Sequence, residues 1–353
     1  MAYTTIDDPT IYFNTVIYTG NATARTITGV GFQPDWVWGK IRSESQDHVL
    51  VDSVRGATKQ LYSSDSASEQ TESQGLTGFA SDGFTLGTHA YFNKNTATYV
   101  AWNWKAGTSA SGNTTGSGTA QSYTASVSTT AGFSITVFTG NGNANHTLPH
   151  NLGVAPDWFI IKKKVGTGDS TVRDWNVFHK SLGNTKRIAL NSTGTPSTSN
   201  EYWNDTSPTS SVINLGTNDQ INGDNNTYIC YAFAEKKGYS KFGSYTGNGN
   251  ADGTFVYTGF RPAFLIIKKS SATEDWGLID NKRDPNNDGS SSQLFPNGNN
   301  VEDTSNDRAD FLSNGFKLRT SSGQWNTSSG TYIYMAFAES PFVNSNGVPN
   351  NAR

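Results

Sequence analysis

The sequence predicts an all-β protein made of three tandem antiparallel β-sandwich domains of jelly-roll-like type. Two observations lead to this prediction. The chain is rich in Thr, Ser, Asn and Gly, with 36 Gly among 353 residues and only 16% charged residues, and this composition favours strands and turns over helices. In addition, four short motifs occur three times in the same order, which is the signature of a repeat architecture.

The first repeated motif is a turn, and the second is a buried strand. An aromatic residue followed by Thr-Gly-Asn ends a short alternating stretch at Tyr18–Asn21, Phe138–Asn141 and Tyr245–Asn248, which predicts a strand and then a turn. The second motif is a Pro that opens a hydrophobic run ending in Lys, found at Pro34–Lys40, Pro156–Lys162 and Pro262–Lys268. Such a run is typical of a buried strand with Pro at its first position.

The third motif begins at an Asp, and the fourth is a pair of strands. The segments DHVLVDSVRG, DWNVFHKSLG and DWGLIDNKRD begin at Asp47, Asp174 and Asp275 and align without gaps. A Gly-Phe-x-Leu element follows in the first and third copies, with Val-Ile-Asn-Leu in the second, and each copy closes with a strand that begins at Tyr99, Tyr228 or Tyr332.

These motifs divide the chain into three predicted domains, each of about 100 residues. The domains span residues 11–106, 132–238 and 239–341, and residues 342–353 form a C-terminal tail. Residues 107–131 are rich in Gly, Ser, Thr and Ala, so we expect a flexible linker or an extended arm there. Because almost nothing separates the second and third copies, they are expected to form a fixed pair with a looser first domain.

Composition also excludes several classes of protein. The net charge of −3 gives no reason to bind nucleic acid, and no apolar run is long enough for membrane insertion. Cys230 is the single cysteine, which excludes an intrachain disulfide and a cysteine-based zinc cluster. The first residues, MAYTTIDDPTIYF, have no basic and no apolar region, so we expect no secretory leader.

The sequence gives little support for catalysis. The repeated acid position is Asp52 in the first copy, His179 in the second and Asp280 in the third, whereas a glycosidase needs two fixed carboxylates. The histidines form no H-E-x-x-H motif, and no Ser lies in G-x-S-x-G. We therefore expect no catalytic residue and no enzyme activity.

A calcium loop is the one candidate cofactor site. Asp284, Asn286 and Asp288 with Gly289 match the opening of a D-x-N-x-D-G loop, but Phe295 stands where the bidentate Glu should be. A polar turn is the favoured interpretation, a non-helical calcium loop is the alternative, and no other cofactor is expected.

Five aromatic residues are candidates for ligand binding because no aromatic recurs at their positions in our alignment. They lie in the turn-rich segments GTHAYFNKN, NEYWNDTSP and SSGQWNTSS and are Tyr91, Phe92, Tyr202, Trp203 and Trp325. Exposed rings among Asn, Asp and Ser can stack on a sugar, but they are equally typical of a subunit contact or of simple loop packing.

Together these motifs resemble a known family. The opening MAYTTIDDPTIYF, the Thr-Gly-Asn turns, the Pro-Asp-Trp strands, DSVRG at Asp52–Gly56, SDGF at Ser81–Phe84 and VAWNWKAG at Val100–Gly107 are similar to a repeat family of marine bacteriophage virion proteins. Members are described as tail or tail-fibre proteins with a concanavalin-like or laminin-G-like jelly roll. The second copy departs most, because it lacks the Asp-Gly-Phe element. The resemblance implies a virion location, on the tail or capsid surface after synthesis in the host cytoplasm, and no catalytic residue.

Three functions follow as expectations. The first is a non-enzymatic tail fibre or receptor-binding adhesin that contacts host cell-surface glycan. The second is a capsid decoration or head-fibre protein that binds other virion proteins, and the third and weakest is an exopolysaccharide depolymerase. By family analogy we also expect a homo-oligomer, with a trimer favoured.

Overall fold

A computed structural model describes residues 3–165 and 173–350. The protein is all-β, with 42% strand and 6% helix, and the strands form several antiparallel sheets. Every helix in these ranges is a single short turn, so none of them is long and apolar enough to cross a membrane.

The first repeat forms one large and one small sheet. Its elements are a 3-10 turn (Pro9–Ile11), β1 (Phe13–Thr19), β2 (Arg25–Ile27), β3 (Trp36–Ile41), β4 (Val49–Asp52), β5 (Lys59–Tyr62), β6 (Gln70–Thr71), β7 (Leu76–Ala80), β8 (Gly83–Leu86), α1 (Ala90–Asn93) and β9 (Thr98–Trp104). The large sheet has the order β1-β9-β3-β4-β5-β6, and the small sheet has the order β2-β8-β7.

The second repeat follows an arm of three strands. The arm is β10 (Thr108–Asn113), β11 (Thr115–Gly116) and β12 (Ser122–Ser128). The repeat itself is β13 (Phe133–Thr139), β14 (His146–Pro149), β15 (Trp158–Val165), β16 (Asn176–His179), β17 (Lys186–Ala189), β18 (Ser197–Thr198), α2 (Asn200–Trp203), β19 (Val212–Leu215), α3 (Asp219–Asn222) and β20 (Thr227–Phe233). The large sheet has the order β10-β12-β13-β20-β15-β16-β17-β18, and the small sheet has the order β11-β14-β19.

The third repeat has the same two sheets with fewer strands. Its elements are β21 (Ser240–Thr246), β22 (Phe255–Tyr257), β23 (Phe260–Lys269), β24 (Gly277–Asp280), β25 (Ala309–Leu312), β26 (Gly315–Leu318), α4 (Gly323–Asn326) and β27 (Thr331–Pro341). The order β21-β27-β23-β24 corresponds to β1-β9-β3-β4 in the first repeat and to β13-β20-β15-β16 in the second.

The arm shows what the Gly/Ser/Thr-rich segment 107–131 does. Strand β12 pairs antiparallel with β13 from Tyr123↔Phe138 to Ser128↔Phe133, and β10 pairs with β12 on the outer side. Strand β11 pairs with β14 in the small sheet. Of the two alternatives for this segment, the structure therefore has an extended arm, fixed to the second repeat by backbone hydrogen bonds.

One hydrophobic cluster joins all three repeats. Trp36 pairs with Trp104 across β3 and β9, Trp158 with Phe233 across β15 and β20, and Phe264 with Phe337 across β23 and β27, and all six rings lie in a single buried cluster. The ring centroids of Trp104 and Phe337 are 5.6 Å apart, and those of Phe233 and Phe337 are 5.7 Å apart. The expectation of a looser first domain is therefore wrong, because its large sheet shares this core with the other two.

A buried asparagine explains the Thr-Gly-Asn turns. Asn93, Asn222 and Asn326 end the short helices α1, α3 and α4 and are completely buried. Each accepts a hydrogen bond from the backbone N–H of the turn's Asn, with N···O distances of 3.0, 3.1 and 2.9 Å. Each also donates to backbone carbonyls, as Asn222 does to Asn143 and Gly216.

The glycine of the same turn is required by close approach of the backbone. A Cβ atom on Gly20, Gly140 or Gly247 would lie 2.1, 2.6 or 2.4 Å from a carbonyl oxygen in the segment after the helix. A side chain at this position would force the turn away from the buried Asn. The motif thus fastens the first strand of each repeat to the segment before its last strand.

Substitution of the buried Asn should destabilise the fold. We predict that Asn222→Ala lowers the free energy of unfolding by about 3 kcal/mol, because buried backbone groups at Asn141 and Gly216 lose their partner at about 1–3 kcal/mol each, and a partly buried carbonyl at Asn143 loses its donor. Urea denaturation measures this effect, with the exposed Asn200→Ala as the control. A loss no larger than that of the control would contradict this role.

Candidate functional site

The tryptophans predicted to bind a ligand are packed inside the protein. Trp203 is 1% exposed and Trp325 is 0% exposed. The Trp203 ring lies edge-on to Phe159, 4.9 Å between centroids, and its Nε1 donates to the Lys186 carbonyl over 2.9 Å. Trp325 Nε1 donates to Gln293 Oε1 over 2.9 Å. The expectation that these rings are exposed is wrong, since core packing and a hydrogen bond from the indole N–H hold each of them.

Two of the five aromatics do lie at a repeated position. Phe92 and Trp325 occupy the residue before the buried Asn, where the second repeat has Ile221, and all three side chains are completely buried. Space for the two rings comes from Gly39 and Gly277, because a Cβ there would lie 2.4 Å from Phe92 and 2.6 Å from Trp325. The interval of six residues from this Asn to the Tyr of the closing strand is the sequence signal that identifies the position.

The two tyrosines are also held by neighbours. Tyr202 is 6% exposed, and the guanidinium of Arg187 lies 4.9 Å from its ring centroid. Tyr91 is half-buried against Tyr62 and His89, with ring centroids 5.5 and 4.9 Å apart. The structure thus does not gather the five aromatics into one surface, and only Tyr91 keeps part of a ring accessible.

The candidate calcium loop lies on the surface after β24. Asn286 and Asp288 are exposed, and Asp284 is half-buried. Burial, together with the nearby charges of Asp288 and Asp307, raises the pKa of Asp284 to about 6. Within residues 3–165 and 173–350 no group of three or more His, Cys, Asp or Glu side chains is placed to hold a metal ion. Calcium binding here stays a prediction.

The repeated Asp position joins neighbouring repeats. Asp52 of the first repeat accepts hydrogen bonds from Tyr231 Oη of the second repeat at 2.7 Å and from its own neighbour Arg55 at 2.5 Å. Asp280 of the third repeat accepts in the same way from Trp102 Nε1 of the first repeat at 2.9 Å and from Arg283 at 2.5 Å. The three repeats form three pairwise interfaces. Asp52 lies at the interface of the first and second repeats, and Asp280 lies at the interface of the first and third.

At the interface of the second and third repeats, His179 takes the place of the Asp, because the facing residue is different there. His179 Nδ1 accepts from the backbone N–H of Ser181, so Nε2 carries the proton and donates to the Tyr334 carbonyl of the third repeat over 3.2 Å. Met335 stands where the other interfaces have Trp102 and Tyr231. Methionine has no N–H or O–H that a carboxylate could accept. His179 therefore stands in place of the Asp and donates to a backbone carbonyl instead.

The charged residues around the repeated Asp also differ at the interface of the second and third repeats. Glu69 lies 3.2 Å from Arg55 and 3.6 Å from Lys164 of the second repeat. Glu302 is placed in the same way, 2.7 Å from Arg283 and 2.7 Å from Arg42 of the first repeat. At the interface between the second and third repeats, Leu182 replaces the first cation and Ser270 replaces the second. This interface therefore lacks that charge pattern.

A cavity of about 440 Å³ lies at the interface between the second and third repeats. Its polar lining is mostly hydroxyl groups, and its remaining lining is Lys186 and three apolar side chains. The hydroxyl residues are Ser181, Ser244, Ser270, Ser271, Thr331 and Tyr332, and the apolar residues are Leu182, Pro196 and Ile333. No residue of this cavity was among the sequence candidates, because single Ser and Thr residues give no signal in a chain so rich in both.

Comparison with protein families identifies the whole repeat array as one domain. A family model described as a domain of unknown function, DUF7483, matches residues 8–341. The chain belongs to the DUF7483 family. The match begins just before the 3-10 turn and ends with β27, so the three repeats and the arm all lie inside the DUF7483 domain. No curated protein matches the chain.

His179 makes the stability of this DUF7483 protein depend on pH. Burial lowers its pKa from 6.5 to about 4, so its contribution is complete above pH 6.5 and is lost as the pH falls towards 4, by about 3 kcal/mol in all. We predict that His179→Gln, which keeps a donor and an acceptor, reduces the loss of stability between pH 7 and pH 4.

Urea denaturation of both proteins at the two pH values measures the difference. The other buried histidines titrate in both proteins, so they cancel in the comparison. An identical loss in wild type and variant would show that His179 is not the titrating group.

Proposed function

We propose that this DUF7483 protein is a non-enzymatic structural protein of a bacteriophage particle. The most favoured form is a tail fibre or receptor-binding adhesin that contacts a host surface glycan in the cavity between the second and third repeats. The resemblance to marine phage virion proteins motivates the location on the virion. The cavity supports glycan binding, because Leu182 and Ser270 line it where the other two interfaces have cations, and hydroxyl groups predominate in its polar lining.

The lining of the cavity suits a sugar. Hydroxyl groups of Ser181, Ser244 and Ser271 can both donate to and accept from the hydroxyls of a glycan. Leu182 and Pro196 offer apolar surface to the C–H face of a ring, and the volume of about 440 Å³ lies within the usual range for small-ligand sites. Lys186 can pair with an acidic group if the glycan carries one.

The repeated acids support a non-enzymatic role. A glycosidase places two carboxylates about 5–10 Å apart across a substrate, and one of them has a raised pKa. Asp52 and Asp280 each form an ion pair with an arginine and have completely buried side chains. A substrate cannot reach either carboxylate without opening an interface between repeats.

We also propose that each repeat is one jelly-roll-like sandwich, over residues 11–106, 132–238 and 239–341. Besides the shared core, each repeat has its own buried cluster that contains residues of its large and its small sheet. In the first repeat Val37 and Val51 of the large sheet cluster with Phe84 and Leu86 of the small sheet. The second and third repeats have corresponding clusters.

A second candidate function is a capsid decoration or head-fibre protein. The observation that favours it is the pair of edge strands β1 and β21, which end two of the three large sheets without a partner strand. Immunogold labelling of the intact virion distinguishes the two functions, because an adhesin is expected at the tail tip and a decoration protein over the capsid.

Filling the cavity should abolish glycan binding. We predict that Ser181→Trp weakens binding to polysaccharide extracted from the host cell surface at least about tenfold, a change of about 1.4 kcal/mol, because the indole occupies the space of the sugar. Ser109→Trp, at the exposed rim of the groove beside the arm, is the matched control. Binding is measured by titration calorimetry, and the absence of new reducing ends in the same mixtures tests the non-enzymatic role. Equal binding by wild type and Ser181→Trp would exclude the cavity as the glycan site.

The purified protein is expected to be a homo-oligomer, with a trimer favoured. Exposed apolar residues of the third repeat's small sheet, Phe255 and Tyr257, support burial against other copies. Light scattering at micromolar concentration should give three times the chain mass of 38.1 kDa. A mass of one chain would count against the trimer.

A further inference from the structure

The first strand of the large sheet has a different environment in the second repeat. Strand β13 lies inside its sheet because β12 of the arm pairs with it, whereas the equivalent strands β1 and β21 are sheet edges. Residues Ser109–Ser111 and Thr124–Ser126 of the arm line a groove together with Asp35, Ser53 and Val54 of the first repeat, and Ser126 Oγ donates to Asp35 Oδ1 over 3.2 Å. One large sheet thus has a strand added in the groove between repeats, and the other two do not.

The free backbone groups of the two edges have the same register as those that bind the arm. Tyr12, Gly132 and Tyr239 each accept a backbone hydrogen bond from the closing strand of their own repeat. Since antiparallel strands alternate inward and outward groups, the outward residues are those at odd positions in β1 and β13 and at even positions in β21. In β13 these residues, Phe133, Ile135 and Val137, face Ser128, Ser126 and Thr124 of β12.

Side chains on the first strand of the large sheet are more exposed where no arm strand lies beside them. Ile17 of β1 is 48% exposed, while Val137, at the equivalent position beside the arm, is partly buried. Ser244 is the equivalent residue of β21 and is exposed. In the small sheets, β11 covers Thr147 of β14, whereas Phe255 and Tyr257 of β22 are 42% and 52% exposed. Phe255 and Tyr257 are thus exposed on the edge strand of the third repeat's small sheet. In the second repeat, strand β11 of the arm pairs with the equivalent strand β14.

We propose that β1 and β21 each accept an extended strand from another structural protein, added antiparallel as β12 is added to β13. Main-chain hydrogen bonds would supply the affinity, as in other cases of strand addition. The partner segment should resemble β12, whose residues are small or β-branched apart from Tyr123, because the arm shows which side chains fit between two repeats.

Each edge has an outward N–H that is already bonded within the chain. In β1 the N–H of Thr15 donates to the side chain of Asn14, and in β21 the N–H of Ser240 donates to the Lys236 carbonyl, both over 2.9 Å. Ile17 is the next outward position of β1 after Thr15. In β21 the outward position is Ser244, which also lines the cavity proposed for the glycan, so a strand and a glycan would compete for this groove. The proposal rests on the structural role proposed above but not on the glycan, so failure of glycan binding leaves it intact.

The test uses the full-length protein and a synthetic peptide of residues 107–131, the protein's own arm, added in trans. We expect saturable binding that slows hydrogen exchange of the amides of Ser244 and Ile17. Ser244→Pro and Ile17→Pro should each weaken binding at the altered edge at least about tenfold, because Pro removes the outward N–H and is tolerated on an edge strand. Ser244→Ala and Ile17→Ala keep the N–H and are the matched controls.

Several results would overturn the proposal. One is that the peptide does not bind at a concentration of about 1 mM. Another is that the peptide protects amides outside β1 and β21. A third is that the Pro and Ala variants bind the peptide equally. If a Pro variant does not fold, exchange in the wild-type protein still locates the peptide. Self-association that Ser244→Pro abolishes would identify a second copy as the occupant and contradict the heterologous partner proposed here.

Discussion

The structure depends on the aromatic core where the three large sheets meet. Trp36, Trp104, Phe233, Phe264 and Phe337 lie in it with exposures of 1% or less, and burial of each large side chain contributes about 1.5–3 kcal/mol. No repeat can bury this face of its large sheet alone. The first repeat is therefore as firmly held as the others, although a Gly-rich segment follows it.

Two sets of equivalent hydrogen bonds between repeats share one direction around this core. Trp175 of the second repeat donates to the Tyr62 carbonyl of the first, and Trp276 of the third donates to Ala189 of the second, over 2.7 and 3.0 Å. The buried lysines of the second motif act in the same sense, since Lys162 donates to Ser66 of the first repeat and Lys268 to Thr193 of the second. Each repeat needs its neighbour to satisfy a buried donor, which fixes the order of the three around the core.

The sequence predicted the strands that recur in the three repeats, but it did not predict the burial of the loop aromatics. Strand positions such as Trp36–Ile41 and the all-β class follow from hydrophobic runs and turn residues, which act locally. The burial of Trp203 and Trp325 does not follow, because both lie in polar segments that form short helical turns and bury the ring, and beside Trp325 the turn also buries the polar Asn326. For residues 107–131 the sequence left two alternatives open, a flexible linker and an extended arm, because Ser- and Thr-rich strands such as Ser122–Ser128 resemble a linker until a partner strand is in place.

A single chain with three repeats can have interfaces that a homotrimer cannot. In a symmetric trimer every interface carries the same residues, so a change that opens one opens all three. Here Asp and Arg remain at two interfaces, while His179, Leu182 and Met335 occupy the third, and only the second repeat has an arm. Each of these differences breaks the internal symmetry without disturbing the shared core. Because core packing requires similarity among the repeats and binding does not, the positions where the repeats differ in a coordinated way are where function is expected.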